Sequence, residues 1–435
     1  MLFISLGAFY GFIITNNNFT KIQNNTNFLE KYYLRTSKYD LEIINLYKKD
    51  DFYNSYVAKI NKIDELNIDK NIYGIVNVAS NINLNKGELL ALNGQILKID
   101  NVDNSFDYKT YLLVKNIYFK LYLYNYKVVG DKNTFLTKLD LFRNKLIKII
   151  NNIYPNEESI LLSGILIGAR ENIPKELSND FNNSGTTHII AVSGFNITIL
   201  IIFLGFLFKF IPIFIRTILI FSFLVIFCFF VGLEASVIRA GIMGIIGYSI
   251  TSLGRKSSSI TTVLITCFFM LLYNPLYINY DLSFQLSFLA VLGILFTKNF
   301  FDKIFYFFPE TLAIKESFSI TMSAMIFTLP ITIFNFGQFV LLTPISNILV
   351  SWNISFIMLF GFLSILGYYI YPFLGIIIGF FSYIFLKFDL SVIHYFGKLH
   401  NFIIKTDFGE YSLYFEIIYF IILGYLIFIL NNKKK

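Results

Sequence analysis

The chain has 435 residues, of which 55% are hydrophobic and only 15% are charged. Soluble globular domains carry roughly 25% charged residues, so this composition excludes an ordinary soluble enzyme or binding module. Several apolar runs approach the roughly 20 residues that a helix needs to cross a membrane. Because backbone polar groups in lipid must be satisfied within their own segment, these runs predict a bundle of transmembrane helices.

The formal net charge of +8 does not by itself indicate nucleic acid. Cytoplasmic loops of membrane proteins are rich in Lys and Arg whatever their function. The many Phe, Tyr, Asn, Ile and Lys residues resemble the bias of an AT-rich coding sequence, so aromatic abundance does not indicate base stacking. Both cysteines, Cys228 and Cys267, lie in apolar runs. We therefore expect neither a disulfide framework nor a Cys/His zinc site, and neither a metal nor another cofactor.

The N-terminal apolar stretch, residues 2–14, is short for a membrane span and lacks a basic flank. No small-residue cleavage site follows it, so we predict that residues 1–15 form a retained, anchor-like membrane segment.

Residues 16–130 are polar, with short apolar alternations between turn residues. This pattern predicts a small soluble β-barrel or sandwich beside the membrane. The predicted strands are Phe52–Ile63, Asn71–Ala79, Gly87–Ile99 and Thr110–Tyr126.

Residues 133–153 change period, because apolar residues recur there at helical spacing. Four basic residues lie elsewhere on the helical wheel: Lys138, Arg143, Lys145 and Lys148. The pattern is typical of an amphipathic helix lying in the membrane interface. An ordinary helix packed on the β domain fits it equally well.

From residue 157 the chain is mostly apolar, and the short run at 159–169 is predicted to re-enter the membrane or to be buried. Predicted spans lie near 186–208, 213–232, 236–253, 259–274, 282–297, 316–335, 338–363, 366–387 and 412–430. If the C-terminal lysines are cytoplasmic, alternation puts the basic clusters at 209–216, 255–256 and 298–315 on the same side. Residues 16–130 then lie outside, and the C-terminus lies in the cytoplasm.

The segment from Gly164 to Ile199 has the most unusual composition for a membrane protein. Gly164 and Gly168 are four residues apart, a spacing that permits close helix approach. Arg170 follows them, and His188 stands at the head of an otherwise apolar predicted span. Ser193, Gly194 and Asn196 interrupt the middle of that span.

This segment resembles the core motif of the ComEC competence-protein family, a Gly-Leu-Leu-x-Gly-type helix followed by a His-x-x-Ala-x-Ser-Gly helix. Three further segments match in the expected order: Ala235–Ala240 with Met243, Asn274-Pro275 with Asp281–Ser287, and Phe334–Val350 with its Pro344–Asn347 turn. Leu282 stands where the family usually has proline. The resemblance covers about 157–365, whereas 16–130 corresponds only by position to the family's OB-like domain.

The resemblance implies a polytopic α-helical membrane bundle of about 9–10 transmembrane helices with a small exported OB-like β-barrel. It implies a competence channel for DNA uptake, passing single-stranded DNA across the inner membrane in natural transformation, with 157–435 as the transmembrane competence domain. The implied partners are a periplasmic ComEA-like DNA receptor, cytoplasmic single-strand-binding or recombination-loading proteins, membrane lipid, a separate cytoplasmic motor, and further copies of the chain in an oligomer.

The resemblance also has a departure. Many members carry a C-terminal metallo-β-lactamase-like nuclease domain, but no His-x-His-x-Asp-His cluster occurs among the three histidines here, His188, His394 and His400. We therefore expect that this chain lacks that domain, that it is not itself an enzyme, and that a separate nuclease would remove the second strand.

A strand of phosphates needs a polar, hydrated path, and intramembrane polar residues are the natural candidates for lining it. These candidates are Arg170, His188, Asn196, Glu234, Arg239, Asp281, Gln285, Asn335, Gln338 and Asn347. An isolated arginine such as Arg239 can contact phosphate and release it. Alternatively, Arg239 pairs with Glu234 or Asp281 and holds the bundle together.

Two further groups complete the candidate residues. Small residues expected at close helix contacts are Gly164, Gly168, Gly194, Ser236, Ala240 and Gly244. Residues that could bind a strand in the exported domain, as OB-folds do with basic and aromatic side chains, are Tyr111, Lys115, Tyr118 and Tyr122.

Two other functions fit parts of the sequence. A small-solute transporter would explain broken helices with polar residues, but the spans show no repeat of one half in the other. An intramembrane serine protease would use Ser193, yet His188 is five residues away, roughly 140° around a helix. No Walker-type phosphate loop occurs, so an ATP-driven motor would have to be a separate protein.

Overall fold

The computed structural model describes residues 2–49, 52–100, 107–123, 125–170, 173–190, 192, 194–232, 235–252, 254, 258–306, 314–405, 415 and 418–425. The chain forms two compact units. The β unit comprises Met1–Asn144 and Met270–Asp281, and the helical unit comprises Lys145–Phe269 and Leu282–Lys435.

The β unit starts with a long helix, continues with an open sheet, and contains one short helix between its strands. The elements are α1 (Leu2–Glu30), β1 (Thr36–Lys49), β2 (Tyr53–Ile63), β3 (Leu66–Asn67), β4 (Tyr73–Ala79), β5 (Glu88–Gln95), β6 (Leu97–Lys98), α2 (Tyr108–Val114), β7 (Ile117–Tyr122) and β8 (Tyr126–Asp131). Helix α1 extends well beyond the predicted apolar stretch, and its Leu29 is fully buried against the sheet core.

The sheet has the strand order β6-β7-β4-β2-β1-β5-β8, with β3 paired to β2. Strands β4 and β7 are parallel, and the other neighbouring strands are antiparallel. Strand β6 pairs with β7 at only two positions, and β8 extends the sheet beyond β5. The two ends of the sheet therefore do not join, and the prediction of a closed barrel was wrong.

In β1 and β2, buried residues alternate with more exposed ones and contribute to the sheet core, whereas β4 and β7 each have three successive buried residues. In β1, Tyr39, Leu41 and Ile43 point inward between charged neighbours that face solvent. The predicted strands at 52–63, 71–79 and 87–99 correspond to β2, β4 and β5 with β6. Strand β1 was missed.

The predicted strand at 110–126 was wrong in its first part. Residues Tyr108–Val114 form the helix α2, because the Asp107 side chain accepts a hydrogen bond from the Thr110 backbone N–H at 3.0 Å and caps the first turn. Only Ile117–Tyr122 is a strand within the predicted range, followed by β8 from Tyr126.

Helices dominate the remainder of the chain. In chain order the elements are α3 (Phe135–Ile153), α4 (Asn156–Ile167), α5 (Lys175–Ser184), α6 (Gly194–Leu207), α7 (Ile213–Val231), α8 (Ala235–Ser252), α9 (Ser259–Tyr273), α10 (Tyr277–Tyr280), α11 (Leu282–Ile304), α12 (Ile314–Phe336), β9 (Gln338–Val340), α13 (Thr343–Ser351), α14 (Ile354–Ile370), α15 (Pro372–Gly397) and β10 (Ile403–Lys405). The two short strands β9 and β10 pair antiparallel with each other.

The segment Met270–Asp281 belongs to the β unit although it follows most of α9 in the chain. Its α10 packs against α2. The Asn18 side-chain amide of α1 donates a hydrogen bond to Asn274 Oδ1 at 3.3 Å. Leu276 is 3% exposed. This segment is thus an integral part of the β unit.

In the part of the chain that the structure describes, four helices are long and apolar enough to cross a membrane: Ile213–Val231, Leu282–Ile304, Lys315–Asn335 and Pro372–Gly397. The bent pair Thr343–Ser351 and Ile354–Ile370, which meet at 41°, would make a fifth. The prediction of a polytopic helical protein with a β-rich N-terminal domain is confirmed.

The predicted number of spans is not confirmed, because the described residues contain four such helices, or five with the bent pair. Three predicted spans correspond to shorter apolar helices: Gly194–Leu207, Ala235–Thr251 and Ser259–Tyr273. Residues 186–190 form a turn, so the apolar run there begins its helix only at Gly194. Most of the predicted span 412–430 lies outside the described residues.

Helix α3 was predicted either to lie in the membrane interface or to pack on the β domain, and its burial bears on the second alternative. Near its C-terminus, Ile150 is fully buried in the core of the helical unit, together with residues of α4, α14 and α15. Near its N-terminus Phe135 is 63% exposed and Leu141 is 55% exposed, whereas Thr137 is 9% exposed and contacts Gly87. Both ends of the helix thus have buried residues, and its placement in the membrane interface stays a prediction.

Candidate functional site

Arg239 of α8 is the most unusual side chain of the helical unit. It is only 9% exposed, and its Nη1 donates a hydrogen bond to the backbone carbonyl of Ser287 in α11. The guanidinium carbon lies 5.9 Å from the centre of the Phe288 ring. Among the described residues no carboxylate forms a salt bridge with Arg239, and its Nε has no hydrogen-bond partner.

A buried charge without a counter-charge is expensive, costing several kcal/mol in a protein interior. Such a cost in an otherwise apolar helix bundle indicates a role other than stability. The proposed pairing of Arg239 with Glu234 concerns a residue outside the described part of the chain.

Helix α6 begins beside this guanidinium. A Cβ atom added to Gly194 would lie 3.6 Å from Arg239 Nη2 and 3.6 Å from the Ala240 Cβ. Both are ordinary van der Waals distances, so α8 lies against the start of α6 and a methyl group would still fit at Gly194. Of the predicted candidates, the structure brings Arg239, Ala240 and Gly194 together. Ser193 lies outside the described residues.

Asn196 ties the first turn of α6 to α4. It is 3% exposed, and its Nδ2 donates a hydrogen bond to the carbonyl of Ile165 at 3.1 Å. The expectation that Gly194 and Asn196 interrupt the middle of a span was wrong, because the helix starts at Gly194. The polar residues lie at a helix end, where unpaired backbone N–H groups are available.

The two glycines of the predicted pair both lie in tight contacts. A Cβ on Gly164 would lie 2.6 Å from Ile190 Cγ1 and 2.7 Å from the Ile190 carbonyl oxygen. Gly168 ends α4 in the left-handed conformation at φ 73°, and its Cβ would lie 2.6 Å from Val231 Cγ1. The short helix α4 thus approaches the residues before α6 and the end of α7.

In α8, a Cβ on Gly244 would clash with Ile201 of α6. Ser236 is half-buried one turn before Ala240.

The other polar candidates are spread out. His188 is exposed in the turn before α6, so it does not head a span, and Arg170 is half-buried just after α4. Asp281 is 6% exposed at the end of α10, and Gln285 is half-buried near the start of α11.

The three candidates nearest the C-terminus, Asn335, Gln338 and Asn347, also lie in separate elements. Asn335 Nδ2 donates to the Ile331 carbonyl of its own helix at 3.0 Å, and Gln338 pairs with Lys405 across β9 and β10. Asn347 is 6% exposed, and its Oδ1 has no hydrogen-bond partner in the described structure.

The β unit carries a cluster of aromatic and basic side chains around α2, which we call the tyrosine–lysine patch: Tyr47, Tyr108, Tyr111, Lys115 and Lys120. The Tyr108 and Tyr111 rings stack with centroids 6.3 Å apart. Lys115 Nζ lies 4.3 Å above the Tyr111 ring, and Lys120 Nζ lies 6.0 Å from the Tyr108 ring. The Tyr47 and Tyr108 hydroxyls are 2.8 Å apart.

Of the four residues predicted here, Tyr111 and Lys115 belong to this patch. Tyr118 is 1% exposed and accepts a hydrogen bond from Asn25 Nδ2 at 3.1 Å, so it cannot stack on a base. Burial raises the pKa of the Tyr118 hydroxyl, with the Asn25 hydrogen bond lowering it by less. Tyr122 is exposed, packs edge-on against Tyr53 at 5.6 Å and lines a cleft with Asn93 and Gln95.

Sequence reasoning missed Tyr47, Tyr108 and Lys120. The signal was present in part: Tyr108, Tyr111 and Lys115 are spaced three and four residues apart, which places them on one face of a helix. That spacing was hidden by reading the segment as a strand.

Sequence reasoning also missed two buried polar clusters in the helical unit. Tyr154 places its hydroxyl 2.8 Å from Ser364 Oγ and 2.5 Å from Ser382 Oγ, linking α14 and α15. Asn353 Nδ2 donates a hydrogen bond to Asp389 Oδ1 at 2.8 Å. A carboxylate in an apolar run was the available signal for the second cluster.

At the end of α15, His394 bridges two carboxylates. Its Nδ1 lies 2.6 Å from Asp180 Oδ2 of α5, and its Nε2 lies 3.0 Å from Glu157 Oε2 of α4. Both neighbours are acceptors when ionised, so both ring nitrogens must carry a proton to bond them. His394 is thus committed to this bridge, which does not suit the base of a serine protease.

Comparison with known proteins gives a family. The model of the family described as "Competence protein" matches residues 165–433. ComE operon protein 3 of Bacillus subtilis (strain 168) is 23% identical over 264 residues, which is 60% of this chain and 33% of that relative. The chain thus spans about a third of the length of the curated relative that it matches. No solved structure matches.

The family match extends further toward the C-terminus than the motifs at 157–365 indicated, and it includes α15 and its buried polar residues. It covers more than half of the 435 residues. The resemblance inferred from the sequence motifs is confirmed, and the chain belongs to the Competence protein family.

Proposed function

We propose that this chain passes single-stranded DNA across the cytoplasmic membrane during natural transformation. The observation that carries the proposal is membership of the competence family over the helical unit, where Arg239 is buried without a carboxylate partner among the described residues. A polyanion that crosses a bilayer needs a positive charge to stabilise its phosphates, but a row of several cations would bind it too tightly for release. A single guanidinium at a helix start satisfies both conditions.

The start of α6 adds to this environment. Backbone N–H groups at a helix N-terminus favour anions, and those of α6 begin at Gly194, next to Arg239. Arginine also suits phosphate because its planar donors match two phosphate oxygens. We assign the phosphate contact to Arg239 and the positioning of α6 to Asn196. Arg170, His188, Glu234, Asp281, Gln285, Asn335, Gln338 and Asn347 remain candidates for lining the path.

We propose that the tyrosine–lysine patch receives the strand on the outer side of the membrane. Stacked tyrosines offer faces to bases, and lysines neutralise phosphates without selecting sequence. Met270–Asp281 packs within the β unit, and the alternation of basic clusters predicted from the sequence would put that loop outside. This supports an exported β unit and a cytoplasmic C-terminus. Tyr122, at its separate cleft, remains a second candidate for a base contact.

The proposal assigns no catalytic step to this chain. Strand degradation and mechanical force would come from other proteins. The strand would arrive from a periplasmic DNA receptor and leave to cytoplasmic single-strand-binding or recombination-loading proteins.

A deletion strain tests the proposed function. Labelled DNA should still reach a nuclease-protected state outside the cytoplasmic membrane, whereas label in the cytoplasm should fall to background, because only the inner crossing is removed. Fractionation of cells after uptake measures both pools, and a plasmid-borne copy of the chain should restore the cytoplasmic pool. Undiminished cytoplasmic label in the deletion strain would exclude the proposal.

The tyrosine–lysine patch gives a binding prediction. Changing Tyr111 to alanine should weaken binding of an oligothymidylate to the purified full-length chain at least about fivefold, because base–aromatic stacking contributes about 1–3 kcal/mol. Lys115→Gln should weaken binding and reduce the salt-dependence slope by about 0.7. Fluorescence anisotropy over a salt series measures both.

Lys127→Gln is the matched control for this binding prediction, since Lys127 is an exposed lysine of β8 outside the patch. Equal losses for Lys115→Gln and Lys127→Gln would show a diffuse electrostatic effect and remove the patch from the proposal.

A further inference from the structure

Asn353 and Asp389 are buried more completely than Arg239 and Asp281, two charged candidates for the proposed path. Both residues are 0% exposed. Asn353 Nδ2 donates to Asp389 Oδ1 at 2.8 Å, while Asp389 Oδ2 and Asn353 Oδ1 have no hydrogen-bond partner in the described structure. One hydrogen bond is therefore made, and one acceptor on each side chain is left over.

The surroundings offer nothing to neutralise a carboxylate. The neighbouring core is apolar and is made by Val350, Ile354, Ile357, Leu386, Leu390 and Ile393. Helices α13 and α14 contain no charged residue. On α15 itself the other titratable residues are Lys387 and Tyr395, which are exposed, Tyr383, which is half-buried, and His394.

The other helices packed on α15 supply no counter-charge either. Glu157 of α4 and Asp180 of α5 bond His394 instead. Lys175 and Glu176 of α5 are exposed, and Glu158 of α4 is half-buried. No described charged group acts on Asp389, whose electrostatic environment consists of burial and the Asn353 amide.

If Asp389 is ionised, Asp389 Oδ2 and Asn353 Oδ1 both remain acceptors without a donor, and both face an apolar core. An uncompensated buried charge of this kind costs several kcal/mol. A proton on Oδ2 changes this, because a carboxylic acid donates through its O–H. The acid and the amide can then form a cyclic pair: Asn353 Nδ2–H donates to Asp389 Oδ1, and Asp389 Oδ2–H donates to Asn353 Oδ1.

We propose that Asn353 and Asp389 form a proton-binding site, in which Asp389 carries one proton in the folded bundle and pairs reciprocally with Asn353. A metal cation is a poorer occupant, since hard cations take about six or more oxygen ligands and the pair offers two unpartnered ones. Among the described residues no group of three or more His, Cys, Asp or Glu side chains is arranged to hold a metal ion.

The position of the pair gives the proton a structural consequence. Asn353 lies between α13 and α14, which meet at a 41° bend, and Asp389 lies in the long helix α15 beside them. The cyclic pair fastens the bend to α15. Loss of the proton turns a satisfied contact into a buried unpaired charge, so deprotonation favours separation of the bend from α15. Proton binding by this pair does not depend on DNA transport.

Purified full-length chain in detergent, without DNA, tests the site. Thermal stability of the wild type should fall as the pH rises, because the pair needs its proton. Asp389→Asn should keep the stability that the wild type has at low pH and lose the dependence on pH. Its amide can present an oxygen acceptor and one of its two N–H donors to Asn353, as the protonated acid presents an oxygen and an O–H. Infrared spectroscopy should show a protonated-carboxyl band that is absent from Asp389→Asn.

Asn353→Leu removes the partner, and it should weaken the protonated-carboxyl band or shift it. If Asn353→Leu does not fold, the comparison of the wild type with Asp389→Asn still decides the question. Absence of the infrared band in the wild type, or equal pH dependence of the wild type and Asp389→Asn, would overturn the proposal.

Discussion

Replacing Arg239 with glutamine is expected to abolish transformation while the chain stays in the membrane at normal abundance. The guanidinium has no carboxylate partner among the described residues, so its removal leaves no orphaned counter-charge. An uncompensated buried charge costs several kcal/mol, so its removal is not expected to destabilise the bundle. Activity and stability should therefore change independently, or in opposite directions. Transformation frequency and membrane abundance are measured together.

Two variants make this test specific. Arg239→Lys keeps the charge but loses the planar pair of donors, and it should retain only part of the activity. Arg216→Gln in α7 is the matched control, because Arg216 is a half-buried arginine outside the site. Normal transformation by Arg239→Gln would contradict a phosphate contact at this position. Loss of both activity and membrane abundance would instead indicate that Arg239 holds the bundle together.

Changing Gly164 to valine is expected to prevent α4 from seating in the helical unit. Its Cβ would lie 2.7 Å from the Ile190 carbonyl oxygen, a backbone atom that cannot rotate away as a side chain can. Overpacking a closed core costs about 1–3 kcal/mol, and a backbone clash belongs at the upper end. Gly164→Ala should show a smaller loss in the same direction. Resistance to protease and thermal unfolding in detergent measure the effect.

Gly247 provides the control for this experiment. It lies in α8, and a Cβ added there meets no atom within 4 Å, so Gly247→Val has room and should change stability little. If Gly164→Val were as stable as Gly247→Val, the close approach of α4 to the residues before α6 would be wrong.

The strands show what alternation alone can predict. Strands β2 and β4 were predicted nearly to the residue because buried, mostly apolar positions alternate along β2 and because β4 is a short, mostly apolar run. Strand β1 has the same alternation, but its solvent face carries Lys38, Asp40 and Glu42, and this obscured the inward row. The helix α2 was misread as a strand because its tyrosines favour strands, whereas the Asp107 cap decided the local structure.

The candidate site was predictable in its residue types but not in its arrangement. A lone arginine in an apolar helix identified Arg239, and the glycine spacing identified Gly164 and Gly168. The partners of these residues lie in other segments of the chain and have no signal in one sequence. The pairing of Asn353 with Asp389 spans 36 positions, so only tertiary packing reveals it. Tyr111 and Tyr118 have a similar sequence context, and only the structure shows that Tyr118 is buried whereas Tyr111 is not.

The membership of Met270–Asp281 in the β unit limits how the protein can be cut. A version that begins at Lys145 would retain Asn274 without its α1 partner Asn18, and α10 without α2, against which it packs. The converse fragment, ending at Asn144, would lack a segment that completes its own fold. Two fragments cut at this boundary should therefore aggregate. Linking residues 270–281 to the fragment that ends at Asn144 should restore the solubility of that fragment.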